Sequence, residues 1–85
     1  GTPSRFSGGS ENRGRFFLSN NHSDISGATI LICSSDGSLI HEEIQVDIKK
    51  NERKYFDLSS YARGVYVIHI MSNNYSTQKK IILSD

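Results

Sequence analysis

The stretch Val65-Tyr66-Val67-Ile68-His69-Ile70-Met71 decides the fold. Its residues are β-branched, aromatic or long and apolar, which suits a pleated strand and leaves no helical stripe. Gly64 stands before the run and Asn73-Asn74 after it, so turn formers bound it on both sides. The next strand, residues 76–83 (STQKKIIL), comes after that turn. Upstream, residues 55–58 (YFDL) place Phe56 and Leu58 on one face, and residues 59–63 form a short connection with room for one helical turn.

The same short-strand pattern extends toward the N-terminus. Residues 28–33 (ATILIC) form an apolar run too short for a helix, as expected of a strand covered on both faces or at the centre of a sheet. Ser34-Ser35-Asp36-Gly37 reads as a tight hairpin turn. In Leu39–Ile48, period two puts Ile40, Ile44, Val46 and Ile48 on one face and His41, Glu43, Gln45 and Asp47 on the other. Glu42 interrupts the apolar pattern and marks a bulge or an exposed end. Residues 49–54 (KKNERK) read as a solvated turn. Residues 15–18 (RFFL) make a brief strand ending in the turn cluster 19–24. The expected fold is all-β: a small antiparallel immunoglobulin-like β-sandwich of six or seven short strands, spanning residues 15–85. Residues 1–14, rich in Gly and Ser, read as a flexible arm with an edge strand around Phe6. Gly1 reads as a processed start or a cleavage scar. Edge strands around Arg15 and Ile81 are candidates for pairing between chains, and the sequence leaves the oligomeric state open.

Composition narrows the function. The 85 residues allow one small domain. No run of 18 apolar residues is present to span a membrane as a helix. Ten basic residues against nine acidic ones lack the basic excess of a dedicated nucleic-acid binder, so no nucleic-acid partner is expected. The single cysteine, Cys33, excludes an internal disulfide framework and sits in an apolar run, where a thiol behaves as a small hydrophobe.

No constellation with catalytic or metal-binding spacing emerges. His22, His41 and His69 lie far apart in sequence, and none makes an H-x-H or H-x-x-x-H pair. His69 shares a face with Val67 and Met71 and reads as a half-buried sheet residue, while His41 and Glu43 read as a solvated strand face. Glu42 and Glu43 are adjacent on a strand and point apart, so they cannot act as a carboxylate pair. None of the fourteen serines sits in a G-x-S-x-G elbow. No catalytic residue, cofactor or metal is expected. The sequons Asn21-His22-Ser23 and Asn74-Tyr75-Ser76 fall in turns and matter only in a eukaryotic secretory pathway.

Three blocks, in order, carry a resemblance. They are the strand–Asp36-Gly37–strand unit from Ile30 to Ile40, the run FDLSSYARGVYVI from Phe56 to Ile68, and Lys79-Lys80-Ile81-Ile82-Leu83. Together they resemble the C-terminal sorting domain of the type IX (Por) secretion system of Bacteroidetes, over residues 14–85. Gly64, Val65 and Tyr66 match that family's G-V-Y motif, and Lys79, Lys80, Ile81, Ile82 and Leu83 match its terminal motif. The family's opening Y-P-N-P strand is replaced by the Gly/Ser-rich stretch, and Ala62-Arg63 stands where a proline often precedes the glycine. Without that opening strand, the chain also resembles small stand-alone secreted immunoglobulin-like proteins of Bacteroidetes. The first resemblance implies a non-enzymatic sorting and translocation signal, reaching the cell surface or the exterior through the periplasm. Its partner would be the outer-membrane secretion machinery or another surface protein, and those eight residues would carry recognition. The second implies a binding or adhesion module.

Overall fold

The structure, a computed structural model, describes residues 6–12, 14–73 and 75–83. Seven strands succeed one another: β1 (Phe6–Asn12), β2 (Arg15–Asn20), β3 (Ile25–Ser34), β4 (Leu39–Ile48), β5 (Arg53–Asp57), β6 (Gly64–Ser72) and β7 (Tyr75–Leu83). Every pairing is antiparallel. One sheet has the order β1-β2-β5 and the other β4-β3-β6-β7, so the chain changes sheet after β2, after β4 and after β5. The expected immunoglobulin-like sandwich is what forms. It differs from the constant-type arrangement in one respect: the fourth strand stays beside the third instead of joining the sheet of the fifth.

Alternation along each strand builds the core. Phe16, Leu18 and Phe56 point inward from the smaller sheet, and the Phe16 and Phe56 rings stack with centroids 5.1 Å apart. Ala28, Ile30, Ile32, Tyr66, Ile68 and Ile70 face them from the larger sheet, and Ile48, Leu58 and Leu83 close the ends. The apolar run of residues 28–33 is the central strand of its sheet, flanked by β4 and β6 as its composition demands. The Asp36-Gly37 turn closes the β3–β4 hairpin, with Gly37 at φ +89° donating its N–H to Ser34 O at 2.9 Å.

Several expectations need correction. The edge strand expected around Phe6 is β1, and it runs further than that expectation, pairing from Phe6 to Asn12 along β2. A ladder is made by backbone groups, so a Gly- and Ser-rich segment can add to an apolar neighbour that has already docked. The strand at Arg15 is consequently central rather than an edge. Residues 59–63 form turns instead of a helical turn, with Tyr61 N–H donating to Leu58 O. Ser19 and Asn20 belong to β2, and Asn20 is fully buried. Its Nδ2 reaches Ser23 O at 2.9 Å and Ile48 O at 3.1 Å, and its Oδ1 accepts from His22 N–H at 3.1 Å. One amide side chain thus ties the β2–β3 turn to the end of β4.

The largest correction concerns β4. Its ladder with β3 slips at Gly27 on β3, at Ile44 and Gln45, and at Ile40, with Gln45 at φ +55°. Each slip inverts the facing of the residues beyond it. His41 and Glu43 therefore sit opposite Ile32 and Ile30 and turn inward, while Ile44 is turned out and left 65% exposed. Val46 and Ile48 face the core as expected, and Ile40 packs partly against it.

Candidate functional site

The corner that leads into β6 is held by side chains aimed at backbone. Asp57 accepts from the Ser59 N–H at 2.9 Å and from its hydroxyl. Those bonds, ahead of the Arg15 charge 3.5 Å away, hold the Asp57 carboxyl below its usual range. Tyr61 donates its hydroxyl to Ile40 O at 3.1 Å, fastening the turn to β4. Tyr66 is buried, and its hydroxyl donates to Ala62 O at 2.6 Å, four residues upstream. A tyrosine at the start of this strand, bonded back to the preceding corner, is a recurrent device of immunoglobulin-like sandwiches. Gly64 enters β6 at φ +147°, a region that side chains disfavour even though open space surrounds its missing Cβ.

The two motifs meet across the β6–β7 ladder. Gly64 pairs with Leu83, Val65 with Ile82, Tyr66 with Ile81, Val67 with Lys80 and Ile68 with Lys79. Residues 64–66 and 79–83, separated by a dozen positions in sequence, form one two-stranded ribbon at the end of the sheet. Alternation sorts them. Tyr66 and Leu83 are buried and Ile81 packs against the core. Val65, Lys80 and Ile82 turn to solvent, with Ile82 66% exposed. Lys79 lies half-buried on the inner side beside Ile68. Beyond β7 no further strand is paired among the described residues, so the ribbon borders an open edge.

The remaining candidates do not converge on this ribbon. His22 is exposed in the β2–β3 turn, and His69 is half-buried on the outer face between Leu31 and Gln78. Cys33 is half-buried on that same face. Asn74 lies outside the described residues. His41 Nε2 lies 2.8 Å from Glu43 Oε2, and the other Glu43 oxygen receives Lys54 Nζ of β5 at 2.7 Å. This cluster borders a cavity of about 110 Å³ between Ile32, Phe56 and Leu58. Burial pushes the Glu43 carboxyl up, but the hydrogen bonds and charges of Lys54 and His41 outweigh it and leave a net lowering. The arrangement is a cross-sheet tie with both carboxylate oxygens occupied. Sequence reading missed it because Lys54 comes from a segment read as a solvated turn. Among the described residues, no three His, Cys, Asp or Glu side chains gather as metal ligands. Among the described residues there is no helix long and apolar enough to cross a membrane.

A comparison with curated proteins returns no match. The family model of the secretion system C-terminal sorting domain, in contrast, matches residues 12–84. That span takes in β2 through β7, both motifs and the corner between them. The chain belongs to the C-terminal sorting domain family of the type IX secretion system of Bacteroidetes, whose members direct proteins to the cell surface or out of the cell.

Proposed function

We propose that the β6–β7 ribbon is the part of this sorting domain that the secretion machinery reads. Gly64, Tyr66, Ile81 and Leu83 set its shape, and Val65, Lys79, Lys80 and Ile82 make the contacts. The observation that carries this reading is the register: two motifs apart in sequence are paired residue for residue along one ladder. An open strand edge can accept an extended segment of a partner by backbone pairing, while side chains on alternate positions select which segment binds. The outer-membrane component supplies that segment, and the two lysines favour an acidic one. The reading contains no catalytic step, cofactor, metal or nucleic acid; the domain acts by being recognised.

The test is export of a precursor carrying this chain at its C-terminus. Removal of residues 79–85 is expected to leave the precursor in the periplasm. Unchanged secretion would end the proposal. The double substitution Val65→Asp and Ile82→Asp alters two exposed side chains without touching the core, and is expected to reduce export at least severalfold. Tyr55→Ser, on the outer face of the other sheet, serves as the matched control with export retained.

A further inference from the structure

At the end where β6 turns into β7, the four-stranded sheet forks. The β3–β6 ladder stops at the Thr29–Met71 pair, although β3 begins at Ile25 and β6 runs on to Ser72. The ladder slip at Gly27, where φ is +65°, accounts for the parting, because a bulge bends the strand that carries it. The start of β3 stays with β4, where Ile25 pairs with Ile48. The end of β6 stays with β7, where Ser72 pairs with Tyr75. Between the two branches lies a cleft of about 320 Å³ whose lining includes Asp24, Ser26, Ser72, Asn73 and Tyr75. That volume is at the small end of the ~300–1,000 Å³ range of ligand pockets, enough for one ring rather than a chain of them. Gly64 stands at the opposite end of β6, roughly 26 Å away along the strand, so the cleft is separate from the paired motifs.

The chemistry of the lining selects the ligand. The Ser26 and Ser72 hydroxyls and the Asn73 amide each donate and accept hydrogen bonds, as the hydroxyls of a sugar do. Tyr75 is half-buried, packs against the core and adds ring surface beside them. Pockets orient a ligand by combining such an aromatic with a few polar groups. Asp24 is the one charged side chain of the lining among the described residues. Its Oδ1 accepts the Lys50 N–H at 2.7 Å, which fixes the carboxylate, and it makes no ion pair among those residues. The turn that carries it is held by Asn20 Nδ2, which donates to Ser23 O at 2.9 Å. One carboxylate with no cation beside it repels an anionic ligand, and an exposed carboxylate alone holds a cation weakly. We propose that this cleft binds one neutral sugar ring. Asp24 Oδ2 accepts from the ring's hydroxyls in charge-assisted hydrogen bonds, and Tyr75 packs against its C–H face. With so few contacts at an exposed site, half-saturation is expected at about 1–30 mM.

Heteronuclear NMR titration of the purified 85-residue chain tests this independently of export. The probes are methyl β-D-glucopyranoside and methyl α-D-mannopyranoside, each taken to about 100 mM. Saturable shifts of the Ser26, Ser72, Asn73 and Tyr75 amides are expected with at least one of them, while the Gly64, Val65 and Tyr66 amides stay still. Ser26→Leu puts a branched apolar side chain into the cleft and should abolish the shifts, with thermal unfolding monitored to show that the sheet is intact. Asp24→Asn keeps an acceptor for the Lys50 N–H and should weaken binding roughly 3- to 10-fold. Glucuronate should bind at least about threefold more weakly than the neutral glycosides. The absence of a saturable shift with both glycosides overturns the proposal. Binding left unchanged by either variant, glucuronate binding as tightly as the glycosides, or methylammonium saturating the cleft in their place overturns it as well.

Discussion

β4 and β7 are the two outer strands of one sheet, and they guard their edges by different means. β4 is irregular: its ladder with β3 slips at three places, Gln45 takes a positive φ, and His41 and Glu43 turn inward to Lys54 of the other sheet. β7 is regular, with nine consecutive partners along β6 and no slip. A bulged and twisted edge offers no straight row of donors and acceptors, whereas a regular one does. The half-buried charge of Lys79, with Lys80 beside it, is the device that blunts β7. An obstacle built into the backbone works against every partner. A charge works only until a partner neutralises it, which is how a strand can stay unpaired alone and still be bound.

Four substitutions probe this contrast, beginning with the largest expected effect. Asn20→Ala removes the amide that anchors the end of β4 and leaves the carbonyl of Ile48 short of a donor. A loss of about 2–3 kcal/mol in urea unfolding is expected. Tyr66→Phe keeps the ring and deletes the bond to Ala62 O at the entrance to the β6–β7 ribbon. It should cost about 1 kcal/mol in the same assay. A loss from Tyr66→Phe as large as that from Asn20→Ala would show that the regular side depends on its corner as heavily as the bulged side depends on its anchor.

Glu43→Gln weakens the tie between β4 and β5, for a loss on the order of 0.5–1 kcal/mol at neutral pH. The Glu43 carboxyl is lowered in the folded state from its ordinary 4.5. Its contribution is therefore complete above that value and is lost as pH falls through the lower folded value. Melting temperature measured from pH 7 down to pH 3 should accordingly drop less steeply in the glutamine variant. Lys79→Thr should alter stability by less than about 0.5 kcal/mol, yet it removes the charge that guards β7. Light scattering should then detect association that Lys54→Thr, on the other sheet, does not produce. Equal behaviour of the two variants would remove the distinction between the edges.

The strands were legible because their apolar residues repeat with period two, and the Asp36-Gly37 hairpin because its residues tolerate the turn's dihedrals. The facing of β4 was not. It depends on two bulges within the strand, whose positions are fixed by pairing with β3, and on a lysine eleven residues away that gives Glu43 a reason to turn inward. Of β1 only an edge strand around Phe6 was legible, because Gly8, Gly9 and Ser10 carry no apolar signal, while ladder formation needs only backbone. At the candidate site the motif residues could be named from the sequence. Their residue-for-residue pairing could not, since the register is set by a short β6–β7 turn and by which faces of both strands the core claims.

The pairing of Gly64 with Leu83 and of Ser72 with Tyr75 makes the β6–β7 ribbon a local hairpin, and it closes with little loop entropy. The β2–β5 ladder is the opposite case: it joins Arg15 to Asp57, positions 42 apart in the chain. Contacts between near neighbours assemble sooner than contacts across long loops. During folding, then, the ribbon is expected to take shape before the smaller sheet closes over it, so the proposed recognition surface would exist on a chain that has not yet finished folding.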